Sequence, residues 1–151
     1  PSSGLIFTLE DLINQYQNLR PKDNNLNIGI GLENTIKTFY QLDPDVDSTF
    51  SKKQALIKIK QGCRLINKYP VNIISLKKLF SKYLKNKSID LLSIDTEGYD
   101  FKIIQGNDWS KYRPKIICIE DNCIAVQSYL ISRNYSLKSI TKNNSIYIDE
   151  K

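Results

Sequence analysis

Two short apolar runs, 89–94 and 115–119, each deliver carboxylates at their C-terminal ends, and a helix-length segment joins them. Ile89-Asp90-Leu91-Leu92-Ser93-Ile94 leads into Asp95-Thr96-Glu97-Gly98, and Lys115-Ile116-Ile117-Cys118-Ile119 leads into Glu120-Asp121-Asn122. Runs of this length, bounded by polar and glycine residues, read as buried strands. In an open α/β sheet, ligands bind in the crevice outside the carboxyl ends of the strands. Two acidic tips side by side there read as a cofactor or substrate site.

The rest of the chain alternates in the same way. A strand is expected over 4–7, a helix over 9–19 with Glu10 and Asp11 in its first turn, and a strand over 26–30. Gly29-Ile30-Gly31 is expected to bend the chain, ahead of a strand over 35–42 and a polar loop over 43–51. A lysine-rich helix is expected over 52–61, and a strand region over 63–74 broken near Pro70. Ser75 is placed to cap a helix over 76–84 whose Leu76, Leu79, Phe80 and Tyr83 share one side. After the first acidic tip a helix over 99–105 closes at Gly106, and Arg113-Pro114 precedes the strand at 115–119. A helix over 124–132 and two strands, 135–140 and 145–148, follow. Asn143-Asn144 suits a tight turn between them. The reading is α/β: one domain over 1–151, its sheet covered by helices on both faces, with a closing hairpin that adds one antiparallel strand.

Composition removes several classes of function. Histidine is absent, which excludes Ser-His-Asp and Cys-His catalysis and the two-histidine zinc motif. No apolar run approaches the roughly 18–20 residues that span a bilayer, and no secretory signal pattern is present. The three cysteines, Cys63, Cys118 and Cys123, match no zinc spacing and point to a reducing, cytoplasmic setting. The net charge of +6, concentrated in 52–87, suits either a solvated helical face or an anionic partner. Aromatic residues are not interleaved with the lysines as stacking platforms would be.

Asp95 and Thr96 could act as helix caps with Glu97 complementing the dipole. Gly98, so early in a helix, argues for close approach of a ligand instead. Glu120-Asp121-Asn122 reads as a turn, or, with Asp95, as oxygen ligands for a hard cation through Asp95, Asp121 and Asn122. Gly29-Ile30-Gly31 fails as a dinucleotide fingerprint, because Asn34 stands where the third glycine belongs and no helix pattern follows.

Residues 88–120 closely resemble the FkbM-type family of S-adenosylmethionine-dependent methyltransferases. The shared features are Ile94-Asp95-Thr96-Glu97-Gly98, Gly106, Arg113-Pro114 and Glu120. Asn27-Ile28-Gly29-Ile30-Gly31, Thr38-Phe39-Tyr40 and Ser48-Thr49-Phe50-Ser51 are similar to the family as well. The departures are at the N-terminus. The family's opening strand and glycine-rich cofactor loop, Asp-x-Gly-Ala-x-x-Gly, have no counterpart, and Ile6-Phe7 stand where a Glu-Pro is expected, with Glu10 the nearest substitute. The chain is accordingly expected to be either a piece of a longer enzyme or a degenerate relative.

The resemblance implies a Rossmann-like sheet and methyl transfer from S-adenosylmethionine to a hydroxyl of a sugar, glycan or secondary metabolite. It implies Asp95 near cofactor and acceptor, Glu97 as base or acceptor-orienting group, Glu120 on the acceptor side, and Glu10 as a ribose-binding candidate. A divalent ion is a weaker expectation. With no histidine, the hydroxyl proton must leave through a carboxylate, lysine, tyrosine or metal-bound group. Two other readings stand beside this one: an inactive binding or scaffold module, and a basic nucleic-acid-binding domain marked by strongly salt-dependent affinity.

Overall fold

The computed structural model describes residues 16–84, 87–96, 98–120 and 123–151. The expected strand at 4–7 and most of the helix at 9–19 lie outside them; 16–19 are helical. In chain order the elements are β1 (Gly29–Gly31), β2 (Thr35–Asp43), a 3-10 turn (Asp45–Asp47), α1 (Lys52–Lys60), β3 (Arg64–Ser75), α2 (Leu76–Tyr83), β4 (Ile89–Ile94), α3 (Asp100–Gln105), β5 (Pro114–Ile119), α4 (Ile124–Ile131), β6 (Tyr135–Ile140) and β7 (Ser145–Asp149). Mixed strands and helices make the chain α/β. Two compact units divide it: Asn34–Ile73, and Pro1–Glu33 with Ile74–Lys151.

In the smaller unit β2 and β3 pair antiparallel, from Thr35 opposite Ile73 to Asp43 opposite Arg64, with one register shift between Gln41 and Leu42. Pro70 does not break β3; it stands opposite Thr38 within the ladder, a position a proline can hold where no N–H is required. Phe39 packs against Phe50 and Tyr69, ring centroids 5.1 and 5.6 Å apart, and Leu42 and Ala55 are buried with it. The Ser51 hydroxyl accepts from the Gln54 N–H and starts α1, as a serine N-cap does. Asp47 is flanked by Lys58 and by the Cys63 thiol, which donates at 3.4 Å. Those hydrogen bonds, Lys58 first, hold the Asp47 carboxyl below its ordinary range. Burial and Asp47 push the Cys63 thiol up.

The larger unit is built on a four-stranded sheet in the order β4-β5-β7-β6. β4 and β5 run parallel, from Ile89 opposite Pro114 to Ile94 opposite Ile119. β7 lies antiparallel to both β5 and β6, so the expected hairpin does insert one antiparallel strand. One sheet face supplies Ile94, Ile117, Ile119 and Tyr147 to the core. Against them pack Leu76 and Phe80 of α2, Ile103 and Ile104 of α3, and Val126 and Leu130 of α4. These helical residues recur three or four apart, or stand side by side on an inward stripe. Ser75 caps α2 through the Lys78 N–H, 3.3 Å, as its sequence implied. On the other sheet face Leu91 and Ile116, partners across β4 and β5, remain 58% and 39% exposed. Cys118 is half-buried, and Cys63 and Cys118 are free thiols.

Gly29-Ile30-Gly31 is not a bend. It is the buried strand β1, and the chain turns after it, at 32–34. Its glycines matter through Gly106, which caps the C-terminus of α3. A Cβ on Gly106 would stand 2.8 Å from the Gly31 carbonyl oxygen and 3.1 Å from that of Leu32. Both are backbone atoms and cannot swing aside. Gly106→Ala is therefore expected to destabilise the protein by about 2–3 kcal/mol, through overpacking rather than conformation. That is a fall of about 5–10 °C in the thermal midpoint of a domain this size; an unchanged midpoint would show that β1 yields freely.

Candidate active site at the tips of two parallel strands

The parallel pairing of β4 and β5 brings two of the sequence-predicted carboxylates to neighbouring strand ends. Ile94 and Ile119 form the last matched pair, and beyond it the Glu120 N–H donates to the Ile94 carbonyl at 3.1 Å. Asp95 and Glu120 thus leave the sheet side by side, at the carboxyl ends of the strands. Asp95 and Glu120 are both half-buried. The other predicted residues, Glu10, Glu97, Asp121 and Asn122, lie outside the described residues.

The loop after β4 is held by a residue that sequence reasoning did not single out. Asp100, the first residue of α3, is 1% exposed. Its Oδ1 accepts from the Thr96 N–H at 3.3 Å and its Oδ2 from the Gly98 N–H at 3.2 Å. The Thr96 carbonyl accepts in turn from the Tyr99 N–H, 3.3 Å. The one available signal was an acidic residue two places after a glycine, and it reads equally well as an ordinary first-turn carboxylate.

Capping by Asp95 or Thr96 is not what occurs. The N-cap of α3 is Tyr99, with no side-chain capping bond, and Asp100 takes the loop amides. Asp95 Oδ1 and Thr96 Oγ1 are both enclosed and bond nothing among the described residues. Thr96 is 4% exposed. An unpaired buried polar atom costs about 1–3 kcal/mol, and native chains keep few of them. Two of them stand on consecutive residues at the end of β4. Two further such atoms, Asn25 Nδ2 and Asn107 Oδ1, are not at a strand tip.

Gly98 has φ +88, and a Cβ built there meets nothing within 4 Å. Its glycine serves the left-handed backbone that follows the acidic tip, rather than close packing. Asp95, Thr96 and Glu120 are described residues at these tips whose oxygens could accept a ligand's N–H or O–H groups. No group of three or more potential metal ligands occurs among the described residues, and two of the three residues proposed for a cation are not among them.

No helix among the described residues is long and apolar enough to cross a membrane. Comparison with curated proteins and with solved structures gives no match. A family model does match, the methyltransferase FkbM domain, over residues 2–136. That span contains β1 through α4, both acidic strand tips and the Asp100-braced loop, and the chain belongs to the methyltransferase FkbM domain family.

Proposed function

We propose that this chain is a single methyltransferase domain over 1–151 with a Rossmann-like sheet, and that it transfers a methyl group from S-adenosylmethionine to a hydroxyl of a sugar, glycan or secondary metabolite. The observation that carries the reading is that Asp95 Oδ1 and Thr96 Oγ1, on consecutive residues at the end of β4, are enclosed and bond nothing among the described residues. That pair fits a molecule offering N–H and O–H donors, as the ammonium and ribose hydroxyls of S-adenosylmethionine do. When bound, the cofactor supplies an electrophilic methyl on a cationic sulfur. The sheet order β4-β5-β7-β6, with β7 the antiparallel member, supports the Rossmann-like assignment.

The protein's share of the chemistry is alignment and proton removal. Methyl transfer needs acceptor oxygen, methyl carbon and sulfur in line, which proximity supplies. Asp95 orients the donor-bearing side of the site, and Glu120 lines the acceptor side from the neighbouring strand tip. Glu97 takes the acceptor's hydroxyl proton, in a chain that has no histidine to do so. Glu10 is the candidate for the ribose hydroxyls, and a divalent ion near Asp95, Asp121 and Asn122 would lower the hydroxyl's pKa.

Calorimetric titration of the full chain with S-adenosylhomocysteine tests the binding half. Saturable one-to-one uptake is expected, and its absence would favour a module that has lost catalysis. In an active form, Glu97→Gln is expected to lower kcat about 100-fold or more with little change in cofactor affinity, the size of a lost general base. Unchanged turnover would remove Glu97 from the mechanism.

A further inference from the structure

We infer that Asp100 is a positioning residue for this site: its buried carboxylate fixes the loop after β4 so that Asp95 and Thr96 present unpaired polar atoms to a ligand. The inference rests on the cofactor reading above for its consequence, but not for its geometry.

Three observations converge on Asp100. It is 1% exposed, an unusual place for a carboxylate unless specific donors hold it. Those donors are backbone amides, and they belong to Thr96 and Gly98, which flank position 97 in sequence. One side chain therefore ties down the chain before and after that position. One of them, the Gly98 amide, is a donor that a capping Asp95 or Thr96 side chain would otherwise take. With that amide taken by Asp100, Asp95 Oδ1 and Thr96 Oγ1 bond nothing among the described residues. A flexible loop would let these atoms turn to water or to nearby amides; the clamp prevents this. It keeps the polar atoms in place before the ligand arrives, which lowers the ordering cost of binding.

Asp100 reaches the reaction through the loop, and Thr96 is the additional ligand-contacting residue it exposes. Neither role can be read from helix capping, because the cap position of α3 is Tyr99 and makes no side-chain bond.

The test uses the full chain carrying Asp100→Asn, which keeps side-chain volume and one acceptor oxygen, and Asp100→Ala, which keeps none. Amide hydrogen exchange is followed without ligand, and S-adenosylhomocysteine affinity by calorimetry. In Asp100→Ala, protection at Thr96 and Gly98 should fall at least tenfold while Ile117 and Leu130 in the core keep theirs. Asp100→Asn should affect one of the two amides more than the other. Affinity should fall at least tenfold in Asp100→Ala with binding stoichiometry unchanged, the mark of a displaced site rather than of unfolded protein. Thr96→Val should weaken binding while leaving Gly98 protection intact. Unaltered protection at both amides overturns the inference, and so does lost protection with unaltered affinity. If the unsubstituted chain takes up no S-adenosylhomocysteine, the cofactor reading falls, and the exchange result alone decides whether Asp100 holds the loop. Core amides that lose protection together with the loop would make Asp100 a general stability residue and overturn a positioning role.

Discussion

Asp95→Asn is expected to weaken S-adenosylhomocysteine binding by about 30–100-fold while leaving the ligand-free protein as stable as before, or slightly more so. The two effects share one cause. Asp95 Oδ1 is enclosed and bonds nothing among the described residues, and an enclosed carboxylate oxygen without a partner costs stability. Replacing the carboxylate by a neutral amide of the same shape relieves that cost in the free protein. With ligand present, the same change removes a charge-assisted bond worth about 2–3 kcal/mol, and each 1.4 kcal/mol is about tenfold in affinity. Calorimetry measures the first effect and thermal unfolding without ligand the second. A variant that binds normally would show that Asp95 faces no ligand. One that binds poorly because it has partly unfolded would show that the residue is structural. Weak binding with undiminished stability is the outcome that distinguishes a site residue from a scaffold residue.

Arg113→Ala is expected to give the largest loss of stability, about 3 kcal/mol or a fall of about 6–12 °C in midpoint for a chain of this size. Arg113 precedes β5, and its guanidinium grips Asp149 at the end of β7 with both a 3.0 Å bond from Nε and a second, shorter one from an η nitrogen. It also donates to the carbonyls of Arg133, at 2.8 Å, and Trp109, and lies over the Tyr135 ring. The paired side chains are 17% and 14% exposed, so removing the cation strands a largely buried carboxylate. Burial meanwhile pushes the Tyr135 phenol up, and its hydroxyl donates to the Pro114 carbonyl at 2.8 Å. It remains a neutral donor throughout the working pH range.

The pH dependence of this clamp has a definite sign. Hydrogen bonds from Arg113 hold the Asp149 carboxyl below its ordinary value of 3.8. A carboxyl with a depressed folded-state pKa contributes its stabilisation above the unfolded value and loses it as pH falls through the folded one. The gap between wild type and Arg113→Ala should therefore be full above about pH 5 and shrink below about pH 4. Denaturant unfolding at several pH values measures it; a gap that persists unchanged into strong acid would mean that Arg113 acts through packing and its carbonyl contacts alone.

Much of the larger unit was legible because local and tertiary preferences agree there. Ile89–Ile94 and Pro114–Ile119 are short β-rich runs with turn residues at both ends, and they became β4 and β5 within a residue. Ser75 stands immediately before an apolar helical stripe and caps it. The smaller unit misled at Pro70, where proline suggested an interruption and β3 continues through it. A proline breaks a strand only where its missing N–H is needed, and that is set by the partner strand. Gly29-Ile30-Gly31 looked like a bend because glycines favour turns, yet burial holds it extended. Asp100 was invisible for a related reason. An acidic residue in a first helical turn ordinarily answers the helix dipole, and nothing in the sequence says that its oxygens turn back to the two amides before it. The acidic tips themselves were readable from spacing. The atoms left unpaired at one of them were not, since an unmet hydrogen bond is a property of the packed loop.

The position of β7 bears on how the protein is made. It is the last of the four strands to leave the ribosome, yet it fills the slot between β5 and β6. Until it arrives, β5 has a bare flank and β6 has no neighbour, and each offers an open row of amides and carbonyls to any passing strand. A chain in which β7 has yet to dock is the aggregation-prone form, and a variant cut before residue 145 should aggregate more than the full chain.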